Sequence, residues 1–160
     1  MISLRPIGPE DDSFLAGVYA STRAEELAVT GWSDDEKAVF CRRQFDAQAA
    51  HYRENYPGAS LQVIENAGVP IGRLYVARGE REIRIMDVAL LPEFRGSGIG
   101  TKLLRELQEE ARSADKSLTI HVERFNPALR LYERVGFRRI EDKGVYLLME
   151  WRAHAQRLSS

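Results

Sequence analysis

The sequence predicts an α/β (α+β) protein, a mixed central sheet of about seven strands flanked by about four helices, and three observations predict it. Apolar residues switch repeatedly between the alternating period of strands and the roughly 3.6-residue period of helices, in the order β-α-α-β-β-β-α-β-α-β-β. Near the middle, a strand-like run from Ile83 to Leu91 enters the glycine-rich stretch Arg95-Gly96-Ser97-Gly98-Ile99-Gly100, and a strongly helical run leaves it. At 160 residues the chain has the size of one domain and can bury enough apolar surface to need no staple.

Taken in order, Ile2 and Leu4 alternate with Ser3 and Arg5 in a short strand that stops at Pro6, Gly8 and Pro9. Pro9-Glu10-Asp11-Asp12 puts proline and acids where a helix begins, and Phe14, Leu15, Val18 and Tyr19 share one face of it as far as about Leu27. Ser33 with Glu36 has the capping-box spacing and opens a long second helix through Val39, Phe40, Phe45, Ala49, Tyr52 and Tyr56, ended by Pro57-Gly58. The middle reads as a meander: Leu61 to Glu65, a turn at Asn66-Ala67-Gly68, Val69 to Arg78, a turn at Gly79-Glu80, then Glu82 to Leu91. Thr101 to Ala114 places Leu103, Leu104, Leu107 and Ala111 on one helical face. Ser117 to Val122 follows as a buried strand, Asn126-Pro127-Ala128 opens a short helix closed by Gly136, and Phe137–Glu141 with Val145–Trp151 form a last hairpin. One domain over residues 1–152 is expected, with residues 153–160 a frayed polar tail.

Several function classes are disfavoured by composition. The 23 basic and 24 acidic residues nearly cancel, leaving no electrostatic footprint for nucleic acid or an anionic membrane. Three scattered histidines and the single Cys41 offer neither metal-ligand spacing nor a disulfide, so no metal and a reducing compartment are expected. No apolar run approaches membrane length and the first residues lack the regions of a signal peptide, so the expectation is a soluble cytoplasmic protein.

The glycine stretch is where chemistry enters. Three glycines in five residues let the backbone approach a ligand closely, and the following helix adds the positive end of its dipole, so an anion belongs there. A dinucleotide fingerprint begun at Gly96 needs glycine where Thr101 stands, and a nucleoside-triphosphatase loop needs Gly-Lys-Ser/Thr where Thr101-Lys102-Leu103 stands. What fits is Arg-x-x-Gly-x-Gly directly after Val88-Ala89-Leu90-Leu91-Pro92, and here the chain resembles the GNAT superfamily of N-acetyltransferases. The element order matches that fold as well.

The resemblance implies acetyl-coenzyme A as cosubstrate. It implies that Arg95, Gly96, Ser97, Gly98, Ile99 and Gly100 hold the pyrophosphate, and that main-chain groups of Val88, Ala89 and Leu90 carry the pantetheine arm like an added strand. A second stretch, Asn126 to Phe137, resembles the family's C-terminal signature. It implies a cofactor contact for Asn126 and, for Tyr132, a phenol placed to protonate the departing thiolate. Asn126 and Tyr132 lie one residue nearer each other than in the common family pattern.

The base that takes the amine proton is less sharply marked. Asp87, which interrupts an apolar run just before Val88, leads Glu82 and Glu123, since each lies at a strand end and each could accept a proton directly or through water. His121 falls on the face opposite Leu118, Ile120 and Val122, where a packed or hydrogen-bonded ring is the plainer reading, and Cys41 reads as a small core residue. Trp32 reads equally as an acceptor-site wall or as a packing aromatic.

The resulting expectation is direct acetyl transfer from acetyl-CoA to a primary amine of a small molecule or peptide. The alternative is a non-catalytic acyl-CoA-binding module of the same fold. The resemblance places acceptor choice around the first two helices, roughly residues 25–32, where Glu25 and Glu26 would suit a cation or would simply be hydrated. It also admits a homodimer.

Overall fold

The computed structural model describes residues 1–153; the tail from His154 to Ser160 lies outside the described residues. The seven strands are β1 (Ile2–Pro6), β2 (Ser60–Asn66), β3 (Val69–Arg78), β4 (Glu82–Leu90), β5 (Ser117–Glu123), β6 (Arg138–Asp142) and β7 (Tyr146–Trp151). They form one mixed sheet in the order β1-β2-β3-β4-β5-β7-β6. The helices are α1 (Asp12–Ala28), α2 (Asp34–Asn55), α3 (Ile99–Ala114) and α4 (Leu129–Arg134). The expected architecture is therefore the observed one.

By its packing the chain divides into two compact units. The first comprises residues 1–75 and 87–95, the second residues 76–86 and those from Gly96 onward. In the first, β1 pairs antiparallel with β2 from Ile2↔Asn66 to Pro6↔Gln62. Arg5 on β1 reaches past the strand end to Asp11, each oxygen of that carboxylate accepting at 2.8 Å, while the Gly8 N–H also donates to it at 2.8 Å. That clamp holds the 3-10 turn Pro9–Asp11 in place at the head of α1.

The capping box at α2 forms as its spacing predicts, with Glu36 N donating to Ser33 Oγ at 3.1 Å and Ser33 N to Glu36 Oε1 at 3.3 Å. Between these helices and β2, Leu15, Tyr19, Leu27, Cys41, Phe45 and Val63 form a buried cluster. Each large member contributes about 1.5–3 kcal/mol by leaving water. Val39, which shares the predicted apolar spacing of α2, is instead half exposed at 52 %.

In the second unit, β4 runs parallel to β5 from Glu82↔Ser117 to Ile85↔Ile120, and β5 pairs antiparallel with β7. The face predicted for α3 is the one it buries, with Leu103, Leu104, Leu107 and Ala111 all 5 % exposed or less. Gln108 is buried beside them because its Nε2 donates to the Val135 carbonyl at the end of α4, 2.8 Å away. Among the described residues no helix is long and apolar enough to cross a membrane.

Candidate active site

The glycine loop belongs to the second unit. Gly96 and Gly98 have φ of +75° and +87°, the left-handed region that costs an L side chain roughly 1–2 kcal/mol. A Cβ on either would meet nothing within 4 Å, so conformation and not crowding requires glycine there. Gly98 is the N-cap of α3, without a side-chain cap and with no acid in the first turn. The opening N–H groups of a helix have no intrahelical acceptor and gather the positive end of the dipole. An exposed cradle with these properties suits a diphosphate.

Arg95 and the end of β4 belong to the first unit. Val88, Ala89 and Leu90 are half buried. Leu91 N donates to the Ile71 carbonyl at 2.8 Å, which ties the end of β4 to β3. A Cβ at Gly72 would stand 2.2 Å from the Ala89 carbonyl oxygen, so β3 needs glycine where β4 passes closest. The Arg95 guanidinium has two partners within this unit: Nε donates to the Leu90 carbonyl at 3.0 Å and Nη2 to Ser21 Oγ at 3.4 Å. It therefore shapes the strand end as well as bearing charge.

Asp87 is no solvated strand-end residue. Its carboxylate accepts from Nη2 of Arg73, and the same nitrogen donates to Gln48 Oε1 at 2.9 Å. Arg73 is 2 % exposed along its side chain and Asp87 18 %. The guanidinium lies over the rings of Tyr19 and Tyr75, 5.7 and 5.0 Å from their centroids. Burial pushes the Asp87 carboxyl up, with Arg73 pulling the other way. The phenol of Tyr52 is raised first by burial and then by the Asp87 charge. Sequence reasoning singled out Asp87 but passed over Arg73, Gln48 and Tyr52. An arginine inside the apolar run Ile71-Gly72-Arg73-Leu74-Tyr75-Val76 was the one signal available.

In the second unit, Tyr132 is buried, and its ring meets that of Phe137 edge-on at 5.9 Å. Gly136, at φ +103°, reverses the chain after α4, and Phe137 N then donates to the Tyr132 carbonyl at 3.0 Å. The Leu-Tyr…Gly-Phe pattern is thus also a helix-ending device that seats one ring against the other. Asn126 corrects an expectation: α4 begins at Leu129 with Ala128 as its N-cap, and Asn126 precedes it in an Asx turn, Oδ1 accepting from Ala128 N at 2.8 Å. Pro127, which lacks an N–H, favours that turn over an earlier helix start.

The remaining candidates fall elsewhere in the two units. Glu82 accepts from Thr119 Oγ1 at 2.7 Å and pairs with Arg84 at 3.3 Å. Glu123 ends β5, where its carbonyl accepts from Asn126 N. His121 lies exposed between Arg84 and Lys143, 3.3 and 3.2 Å from its two ring nitrogens. Its pKa is lowered by partial desolvation of the ring and then by those cations. Cys41 is buried, which pushes its thiol up and suits packing better than nucleophilic work. Trp32 packs edge-on against Phe40 at 5.3 Å, and of the two helix-end glutamates Glu26 pairs with Arg23 at 3.1 Å while Glu25 is exposed. Among the described residues no three His, Cys, Asp or Glu side chains gather as metal ligands.

Comparison with known proteins places the chain in a family. A sequence profile described as the acetyltransferase (GNAT) family matches residues 15–137, which include the loop, Asp87 and Tyr132. The chain belongs to the GNAT acetyltransferase family. The N-alpha-acetyltransferase RimI of Mycobacterium tuberculosis is 31% identical over 100 residues, a match that spans 60% of this chain and 60% of that relative's length. Among solved structures, the PaiA N-acetyltransferase of Thermoplasma acidophilum, in complex with coenzyme A, superposes with a TM-score of 0.71 at 18% identity over 95% of this chain and 99% of that one. YncA of Salmonella typhimurium, a putative acetyltransferase with acetyl-CoA, gives 0.58 at 21% identity over 94% and 93%. At these identities the superpositions establish the GNAT fold.

Proposed function

We propose that this GNAT-family protein is an acetyl-CoA-dependent N-acetyltransferase that passes an acetyl group directly to a primary amine. The observation that carries this reading is the glycine loop: two left-handed glycines lead into a helix whose first turn holds no acid. When bound, acetyl-CoA would supply an already activated thioester carbonyl.

The chain's own residues then have limited work, mostly positioning. Residues 95–100 and the first turn of α3 would hold the diphosphate, with Asn126 a further cofactor contact. Main-chain groups of Val88 to Leu90 would align the pantetheine arm, with Arg95 holding the Leu90 carbonyl in place. Asp87 would accept the proton that the amine loses, with Arg73 orienting the carboxylate. Tyr132 would give a proton from Oη to the leaving sulfur, so the proton count balances across the transfer.

Acceptor choice goes beyond the family assignment. The RimI relative supports including a peptide α-amine beside small amines in any panel, and the single buried cysteine supports residence in a reducing compartment. The test is calorimetric binding of acetyl-CoA, followed by thiol release with that panel. Binding is expected, with thiol release on at least one amine. Gly98→Glu, which adds both backbone strain and a negative charge at the helix start, is expected to abolish binding while the protein stays folded. Unchanged affinity in that variant would refute the cradle, and binding without turnover on every amine would favour the non-catalytic acyl-CoA module.

A further inference from the structure

A guanidinium beside a carboxylate commonly offers two parallel N–H groups, one to each oxygen. Arg73 does otherwise. Its hydrogen bond to Asp87 runs from the single nitrogen Nη2 to the single oxygen Oδ2, and the same nitrogen also donates to Oε1 of Gln48, 2.9 Å away. Nη2 carries two N–H groups, so Gln48 takes one that Asp87 does not receive. The rings of Tyr19 and Tyr75 lie against the guanidinium, and Tyr75 also hydrogen-bonds the Arg73 side chain.

An amide suits that place. Its carbonyl oxygen occupies one N–H without adding charge, so Arg73 remains a full cation for Asp87 while being kept off Oδ1. A carboxylate at position 48 would divide the guanidinium between two acids, and an apolar side chain would release the N–H to Oδ1. Gln48 comes from α2 and is half buried, lining with Phe45, Tyr52 and Arg73 a pocket of about 490 Å³. Exchanging it therefore leaves no hole inside the packed core. Arg73 is 2 % exposed along its side chain while Asp87 keeps 18 %, so the carboxylate is the part of the pair open to an incoming amine.

We propose that Gln48 is a positioning residue for the acetyl transfer: it confines Arg73 to Oδ2 of Asp87 and so leaves Oδ1 to take the proton that the amine gives up. This rests on the reading of Asp87 as the base. The proton moves to Oδ1 as the amine nitrogen forms its bond to the acetyl carbon, and the sulfur departs with the electron pair of the broken C–S bond.

The test is a pH titration of the full chain followed by isotope-edited NMR of its aspartate carboxyl carbons, with Asp87→Asn identifying the resonance. The charges facing Asp87 are Arg73 from β3 and Arg23 from α1, and its ionisable neighbours are Tyr75 from β3 and Tyr52 from α2. Burial pushes both phenols up, so neither ionises where a carboxyl titrates. Gln48→Glu is expected to raise the Asp87 midpoint by roughly one pH unit, about tenfold in proton affinity, because the new carboxylate competes for Nη2. Gln48→Met is expected to lower it, as the freed N–H turns to Oδ1. A change in packing alone has no reason to move two variants of one position in opposite directions. With whichever amine of the panel supports thiol release, kcat is expected to fall roughly tenfold or more in Gln48→Met at unchanged acetyl-CoA affinity, and the acid limb of kcat/KM to follow the carboxyl midpoint.

A midpoint that stays in place in Gln48→Met overturns the proposal, as do midpoints that move the same way in both variants. Melting curves identify a variant that fails to fold, and the direction taken by the other then decides. Midpoints that shift as expected while no amine releases thiol would defeat the acetyl-transfer reading. Thiol release with unmoved midpoints would defeat the role of Gln48, so failure of one reading is distinguishable from failure of the other.

Discussion

Tyr132 sits where a single oxygen atom separates two roles. Its ring packs on Phe137 whether or not its hydroxyl does chemistry, so Tyr132→Phe keeps the ring contact and removes the hydroxyl. Turnover is expected to fall by roughly 10²-fold or more with acetyl-CoA affinity nearly unchanged, since general acid catalysis is commonly of that size. Steady-state kinetics beside calorimetry would check it, and unaltered turnover would remove Tyr132 from the mechanism. Asp11 offers a residue-scale test of stability. Arg5 first, and then the Gly8 N–H, hold its pKa down to about 2, below the roughly 3.9 of an unfolded aspartate. A depressed carboxylate stabilises the fold above its unfolded pKa and loses that contribution as pH falls through the folded value. Asp11→Asn is therefore expected to be most destabilising relative to the unaltered protein above about pH 4, with the gap closing toward pH 2. Urea melts across that range would show it, and a gap independent of pH would mean that the clamp acts through shape alone.

At the scale of elements, the join between β3 and β4 is the sensitive one. Leu91 N bonds to the Ile71 carbonyl, and the next residue, Gly72, leaves no room for a side chain beside the Ala89 carbonyl. Gly72→Ala would press a methyl group into backbone, which cannot swing aside as a side-chain tip can. The expected result is a loss of about 1–3 kcal/mol in stability, typical of overpacking. Weaker acetyl-CoA binding should accompany it, because Val88 to Leu90 shift with the clash. Denaturant titration and calorimetry on one preparation would test both, and full stability would show that β4 yields more readily than its hydrogen bonds suggest.

Across the whole molecule, a ligand that binds only the folded chain must raise its stability by mass action. Acetyl-CoA at a hundred times its dissociation constant is expected to add about 2.7 kcal/mol. For a chain of this length that should raise the melting temperature by several degrees, at roughly 2–4 °C per kcal/mol. Calorimetric melts with and without the compound would measure it, with Gly98→Glu as the control that should not respond. No rise at saturating concentration would count against the cradle as strongly as a failed titration.

The element order, the Ser33–Glu36 cap, the buried face of α3 and the glycine loop were all legible from the chain alone. Each rests on residues a few positions apart, where period, capping chemistry and backbone freedom act locally. Only the tertiary structure decided that Asp87 is held by Arg73, 14 positions away, and that Gln48, 25 positions from Arg73, shares the same guanidinium. It likewise decided that Arg95 grips the Leu90 carbonyl and that Phe45, Tyr52 and Arg73 come to line one pocket. Local pattern shows that Arg73 falls in a strand. Which carboxylate can answer a buried charge depends on which strand and helix are folded against it, and that is a property of packing at long sequence range.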